Sequence, residues 1–414
     1  MNRSISVLGA GSVGVGTALH LQQRGWQVTL IDRSEPASET SYGNAGVINA
    51  SSFVPINNHD LWKSLPVYLK NNQPQVRYSW ARIIKEFPWL FHFLKHANKH
   101  DANVTSEALN QLCAPALDEH RALMQRAGNM HRLCEAGWLK VFRSQNGYNP
   151  SNFDAELYDR FGIGVQPLNS AEIYDLEPSL KKIFNSGFLL TDSAQVNNPG
   201  MLIKEYAQRF VADGGKLVRT NVSSVSYDQK HFILEGDTRL QTEHLVIAAG
   251  PWSADVLSTL DYKVMLSVER GYHQHFHPEE GAALNRTLHD IDGGYIMAPM
   301  EAGIRITSGV ELATRDAPAN PAQLTQVIPR AYEAFPLSGP TKDPIWKGAR
   351  PTLPDSRPII GRSPAHKNLW LAFGHQHIGL MSGPITGKLL AQQINDEQPD
   401  IDLTPFRAER WVKT

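Results

Sequence analysis

The chain has 414 residues, 41% of them hydrophobic, and a formal net charge of −1, a balance that fits a globular protein of two or three lobes and excludes the strongly basic face of a nucleic-acid binder. Its two cysteines, Cys113 and Cys134, are too few for a disulfide scaffold and point to a reducing compartment. No apolar run reaches the ~18 residues of a membrane-spanning helix, and the first strand starts too early to leave room for a leader, so the expected location is the cytoplasm.

The first predicted element, from Ile5 to Leu8, is an apolar strand that enters the turn Gly9-Ala10-Gly11-Ser12-Val13-Gly14 and runs on into a helix. A second strand, Val28 to Ile31, ends at Asp32 and Arg33. This is a βαβ dinucleotide-binding fingerprint. Gly9 permits the tight turn, Gly11 lets the backbone approach a pyrophosphate, and Gly14 allows close helix–strand packing, while the helix N-terminus offers free N–H groups to the phosphates. Asp32 stands where an acid meets a ribose hydroxyl. The motif alone does not say whether the ligand is NAD(P) or FAD.

A polar loop follows, and its Ser41-Tyr42-Gly43-Asn44-Ala45-Gly46 core is shaped for close approach of a ligand. From about Phe53 to Phe184 the chain is expected to be mostly helical, a cap without nucleotide signature. Within it, the aromatic stretch Trp80 to His96, flanked by Arg82, Lys85, Lys95 and Lys99, reads either as a core-packed cap helix or as a peripheral membrane or quinone contact. Near Pro199 a second βαβ-like pattern begins with Pro at the first helical position. Val222, at a strand end, is placed for a backbone contact to an adenine. The buried strand Leu245 to Ala248 runs into Ala249-Gly250-Pro251-Trp252-Ser253, small residues that let the backbone pass close to a cofactor.

Residues from about Lys263 to Gly339 alternate apolar and polar, which predicts an antiparallel sheet; its His273 and His275 are read as structural. The last strand, Asn368 to Gly374, leads into His375-Gln376-His377-Ile378-Gly379-Leu380 and a helix from about Pro384. Two histidines one residue apart, with no further acid or cysteine at ligand spacing, predict no metal site. A nucleotide-domain theme that returns at the far end of the chain is unusual for an NAD dehydrogenase and suits a cofactor anchored at both ends. An extended FAD is such a cofactor, and a helix N-terminus there would face the flavin N1–C2=O edge, where negative charge gathers on reduction.

Taken together, the GAGSVG turn, the SYGNAG loop, AAGPWS, WKGARPTLPDSRPIIG (Trp346 to Gly361) and GHQHIGLMSGPITG resemble the D-amino-acid oxidase (DAO) superfamily of FAD enzymes, closest to its bacterial D-amino-acid dehydrogenase and glycine oxidase branch. The resemblance covers the whole chain in order. It implies an α/β protein with a Rossmann-like FAD-binding domain of the glutathione-reductase type, built from residues 1–55, 190–262 and 340–414. An α+β substrate-binding or cap domain with an antiparallel sheet, residues 56–189 and 263–339, completes it. In the family the arginine of the G-x-R-P motif, here Arg350, binds the substrate carboxylate, which its planar fork can grip bidentately; Tyr295 resembles the tyrosine that orients the same group. Where glycine oxidase-like members often carry an arginine this chain has His377, and that departure removes a second carboxylate clamp; His375 and His377 are read as polar groups over the flavin.

No residue presents itself as a general base, which fits direct hydride transfer from the substrate α-carbon to flavin N5. Both cysteines lie far from the C-terminal loop, so FAD is expected to be non-covalent. The implied activity is oxidation of a small D-amino or cyclic imino acid such as D-alanine, D-proline or hydroxy-D-proline, with electrons passed to a quinone or respiratory acceptor. Alternatives are a glycine/sarcosine-type oxidase using O2, and a non-catalytic flavoprotein that holds FAD as an assembly factor.

Overall fold

The computed structural model describes residues 3–144 and 147–414. Stretches far apart in sequence build its first sheet, whose strands lie in the order Lys216–Arg219, Gln27–Asp32, Ser4–Leu8, Leu245–Ile247, Leu369–Phe373 and Ile359–Arg362. The first five run parallel and the last antiparallel. A parallel strand covered on both faces must be apolar throughout, and all five residues of Leu369–Phe373 are buried.

The helix Ser12–Gln23 covers this sheet and crosses the helix Gly379–Ile394 at unusually short range. A Cβ on Gly16 would fall 2.8 Å from the Gly383 carbonyl oxygen, and one on Gly387 2.3 Å from the Gly16 carbonyl carbon. Neither position has room for a side chain, so the two backbones touch directly. The start and the end of the described chain are thereby locked in one layer.

The second sheet has eleven strands. Its long central strand, Ser267–Pro278, pairs antiparallel with Gly303–Thr307, Val310–Leu312, Leu337–Pro340 and Trp346–Thr352. The antiparallel sheet expected between Lys263 and Gly339 is thus present, but it reaches further in both directions. Trp138–Phe142 and Val165–Asn169 join it from inside the segment expected to be mostly helical, with Ser186–Leu190, just beyond that segment, paired between them. The reason is visible in the burial of Trp138–Phe142, where only Leu139 and Val141 are buried: a period of two, which only a strand uses. Trp346–Thr352 also belongs to this sheet, and the chain crosses into the first one between Thr352 and Ile359. Lys216–Arg219 joins the first sheet, and Val222–Tyr227 opens a separate three-stranded one.

The aromatic stretch after Ser79 forms two short helices, Trp80–Lys85 and Phe87–Lys95. Trp89 and Phe93 stack inward with ring centroids 4.9 Å apart, whereas Trp80, Ile84, Phe87 and Phe91 face outward. The core-packed reading thus holds for the inner face, and the outer face is exposed.

Candidate active site

The first strand delivers its chain into the glycine turn at Leu8. Gly9 has φ +110°, a backbone that side-chain-bearing residues rarely adopt, and a Cβ there would lie 2.3 Å from the Ala248 oxygen. Gly14 packs beneath it, with no space for a Cβ that would fall 1.8 Å from the Gly9 oxygen. Gly11 is the N-cap of the following helix and carries no side-chain cap. A Cβ at Gly11 would meet only Ser41 Oγ, at 3.3 Å, so this glycine faces open space, not protein. Asp32 ties the turn together: its Oδ2 accepts from Ala10 N–H at 2.7 Å and its Oδ1 from Ser34 N–H at 2.9 Å.

A cavity of about 280 Å³ opens along this turn. At one end stand Arg33, Val222 and Trp252, with the Arg33 guanidinium 4.0 Å from the Trp252 ring centroid. Gly9, Gly11, Ser12, Val13, Asp32, Ser41, Asn44, Ala249 and Gly250 line its length. The far end is closed by Arg350, Trp346, Gly374, His375, Gln376, His377, Gly379 and Leu380. Of the residues expected at the cofactor, Ala10, Gly14, Ala45, Gly46 and Ile378 do not line the cavity. Ala10 and Gly14 shape the turn from behind, Ile378 is the buried N-cap of the last helix, and Gly46 donates to Asn44 Oδ1 at 2.8 Å.

Two loops meet at the far end. Asn44 Nδ2 donates to the His377 oxygen at 3.2 Å, and Arg305 holds the SYGNAG loop from below by donating to the Tyr42 oxygen at 2.9 Å. Gly374 and Gln376 both have positive φ, +87° and +48°, and Gln376 N–H donates to the Pro351 oxygen at 2.9 Å. The helix that follows begins at Gly379, five residues before the expected start at Pro384. Proline inside a helix normally leaves the carbonyl four residues earlier without its partner. Here that carbonyl, on Leu380, accepts from Ser12 Oγ at 2.9 Å and meets His120 Nε2 at 3.1 Å. The proline is thus accommodated, and the helix keeps an N-terminus without a side-chain cap that opens onto the cavity.

Arg350 lies on the strand Trp346–Thr352, opposite Glu269 on the neighbouring strand. Among the described residues its guanidinium makes no hydrogen bond; it lines the cavity with Glu269 as its charge partner. Burial pushes the Glu269 carboxyl up, and Arg350 works against that shift. The guanidinium rests against Gly271, where a Cβ would fall 2.4 Å from Nη2. The Trp346 indole occupies the space over Gly43 and Gly348, whose added Cβ atoms would fall 1.9 and 1.8 Å from it. Trp346 and Gly271 were not singled out from sequence, because both roles come from non-local packing.

His375 is buried, with Nε2 3.1 Å from Thr386 Oγ1. Burial lowers its pKa to about 3; burial and then Arg350 lower that of His377 to about 4. Both are neutral at pH 7. His377 Nδ1 and Gln376 Nε2 are buried without a partner. Tyr295 is elsewhere. It is 2% exposed, packs in the core of the second lobe, and donates to the Arg330 oxygen at 3.3 Å. The expectation that it orients the substrate carboxylate is corrected: along Tyr295–Met300 the first and third residues point into that core, and a strand shows alternate faces. Among the described residues no group of three or more His, Cys, Asp or Glu is placed to hold a metal.

Two uncapped helix N-termini and a glycine turn that admits a pyrophosphate line one cavity, together with Gln376 and His377, each of which has a buried nitrogen without a partner among the described residues. These features fit an extended dinucleotide with its pyrophosphate at the first helix and a ring that gains negative charge at the second.

Comparison with known proteins agrees. The family described as DAO, FAD dependent oxidoreductase, matches residues 4–393. A D-amino-acid oxidase of Bradyrhizobium diazoefficiens is 29% identical over 421 residues, covering 99% of each chain. A D-amino acid dehydrogenase of Helicobacter pylori is 26% identical over 418 residues, again 99% of each. Among solved structures, glycine oxidase from Geobacillus kaustophilus has a TM-score of 0.72 at 20% identity over 98% of both chains. L-proline dehydrogenase from P. horikoshii has a TM-score of 0.72 at 17% identity, covering 99% of this chain and 98% of its own. The chain belongs to the DAO family of FAD dependent oxidoreductases, and FAD is its cofactor.

Proposed function

We propose that the enzyme oxidises a small D-amino or cyclic imino acid, of the D-alanine, D-proline or hydroxy-D-proline kind, and passes the electrons to a quinone or another respiratory acceptor. The observation that carries this reading is Arg350: a guanidinium without a hydrogen-bond partner among the described residues, facing the cavity where the last helix opens. A half-buried guanidinium whose N–H groups lack acceptors gains from a ligand that supplies them, and a planar fork selects a carboxylate. FAD, when bound, supplies the acceptor for a hydride.

The chain's own residues do the rest. Arg350 seats the carboxylate, and Glu269 behind it keeps the site close to neutral, so that a zwitterionic substrate is not repelled. His377, held neutral, offers a lone pair or an N–H to the substrate amine without adding a charge beside Arg350. Trp346 walls the substrate end against water. Neither cysteine lines the cavity, and His375 Nε2 is engaged with Thr386, which supports non-covalent FAD. The two relatives named for D-amino acids, matched over nearly their whole lengths, support the substrate class. A scaffold that used FAD only for assembly would have no use for the guanidinium in this cavity.

The test is anaerobic bleaching of the purified yellow protein by a panel of D- and L-amino and imino acids, repeated in air. Bleaching by D-substrates, slow to recover in air and fast on adding a quinone, is the expected result. Bleaching by L-substrates alone, or none by any carboxylate-bearing amine, refutes the proposal.

A further inference from the structure

The central strand Ser267–Pro278 shows alternate residues to one face, so Glu269, Gly271, His273 and His275 point the same way. Across the ladder Glu269 stands opposite Arg350, Gly271 opposite Gly348, His273 opposite Trp346 and His275 opposite Arg305. Since Gly271, Trp346, Gly348 and Arg350 line the cavity of the candidate site, Arg305 belongs to the same face, one step beyond them. Unlike Arg350, it is out of a ligand's reach: it is 3% exposed and does not line the cavity. Its Nη1 donates to the Tyr42 oxygen at 2.9 Å and to the Asn44 oxygen. Gly43, between those two residues, and Asn44 do line the cavity, so one turn of backbone stands between the guanidinium and the cofactor site.

This guanidinium has no acid of its own. Its Nε donates to His275 Nε2 at 3.1 Å, which leaves the ring proton on Nδ1, 3.4 Å from Asp343 Oδ2. Asp343 is half exposed and stands beyond that ring. His275 is neutral at pH 7, because burial and then Arg305 lower its pKa to about 4, and the same two causes lower that of His273 to about 2. Burial lowers the arginine as well, but only to about 10, so its charge persists. Among the described residues no carboxylate forms an ion pair with Arg305, whose hydrogen bonds go to two carbonyl oxygens and an imidazole. A buried cation without a counter-ion costs free energy, and a neutral donor is enough to hold a loop. What a permanent charge adds is a field, and the adjacent cavity takes a cofactor that gathers negative charge when it is reduced.

We propose that Arg305 is the fixed cation of the cofactor site: held behind the Ser41–Gly46 loop without an acid of its own, it stabilises the negative charge that FAD takes up on reduction and so raises the flavin's reduction potential. Because it does not line the cavity, it is a positioning residue, acting through the loop it holds and through its field. That field adds to the partial charge of the helix that opens at Gly379. In a buried, weakly polarisable site a full charge is felt over several ångströms far more strongly than in water. Asp343 works in the opposite sense and trims the field. The inference rests on FAD as the cofactor and not on which amino acid is oxidised.

The test uses the purified yellow holoprotein and needs no substrate. The ratio of reduced to oxidised flavin is read against a reference dye of known potential. Sulfite, which adds an electron pair to the flavin ring and leaves it anionic, is titrated in parallel by loss of the yellow absorbance. Arg305→Gln keeps a donor for the loop and loses the charge; it should lower both the reduced-to-oxidised ratio at a fixed dye potential and the affinity for sulfite, each about tenfold. Arg305→Lys should stay close to the wild type. Asp343→Asn, on the exposed side, should move both readings the other way by about two- to threefold, and less in high salt. Unchanged flavin equilibria in Arg305→Gln overturn the proposal. So does an Arg305→Lys protein that falls as far as the Gln variant, which would reduce the residue's role to the shape of the loop. If Arg305→Gln does not retain FAD, Asp343→Asn decides: no shift, or a shift toward weaker sulfite binding, refutes the assignment.

Discussion

Replacing Arg350 by lysine tests the site most directly, because the change keeps a positive charge opposite Glu269 and removes only the fork. Since the buried Glu269 still faces a cation, the variant should fold and bind FAD. What it loses is one of two parallel charge-assisted hydrogen bonds, worth about 1.5–3 kcal/mol, and the fixed direction of the other. Together these give about 2–4 kcal/mol of transition-state binding, or roughly a 30- to 900-fold fall in kcat/KM. The assay is reduction of an artificial dye by a D-amino acid, run beside the corresponding amine without its carboxyl group. The amine should be a poor substrate for both proteins and indifferent to the change. Near-normal turnover of the amino acid by the variant, or an equal loss on both substrates, would refute the assignment of the guanidinium to the carboxylate.

Gly11→Val and Gly14→Val should part company. The first adds atoms toward the open cavity and should give a folded, colourless protein; the second drives a side chain into the Gly9 carbonyl and should give little folded protein at all, as read by absorbance and circular dichroism. At Asp355 burial pushes the carboxyl up, but Arg410 and Arg357 outweigh it and hold its pKa below the ordinary carboxylate value. Its stabilisation is therefore complete above about pH 4 and fades as pH falls through the lowered folded-state value. Asp355→Asn should cost about 3 kcal/mol at neutral pH by leaving two partly buried arginines without their buried acid, and denaturant titration that shows no loss would contradict this. Because burial lowers His375 and His377 from 6.5 to about 3 and about 4, the unfolded chain takes up protons before the folded one does. Stability should decline as pH drops from about 6.5 toward 4, and replacing both histidines with glutamine should make that limb shallower without abolishing it, because burial also lowers His20, His120, His273, His275 and His289.

The nucleotide turn was legible because its determinants are local: three glycines and an acid at fixed spacing state their geometry without help from the rest of the chain. The C-terminal loop was legible for the same reason, and Arg350 through the motif that surrounds it. Tyr295 was misplaced by the phase of a strand, since a pattern of two says which residues share a face and not which face meets the ligand. Trp138–Phe142 and its neighbours were hidden because five-residue strands between true helices carry too short a periodic signal. Pro384 misled about the start of its helix, and only the structure shows Ser12 and His120 serving the carbonyl it leaves free. Trp346 and Gly271 lie beyond any reading of sequence alone, because what makes each necessary is an atom contributed by a distant segment.

The bare contact of Gly16 with Gly383 and Gly387 has a bearing on how the protein is born. During synthesis the phosphate-binding turn emerges within the first few dozen residues, yet the surface it must lean on is still hundreds of codons away. Until that last helix leaves the ribosome the helix behind the early turn lacks the backbone it packs on, so this layer can close only late in synthesis.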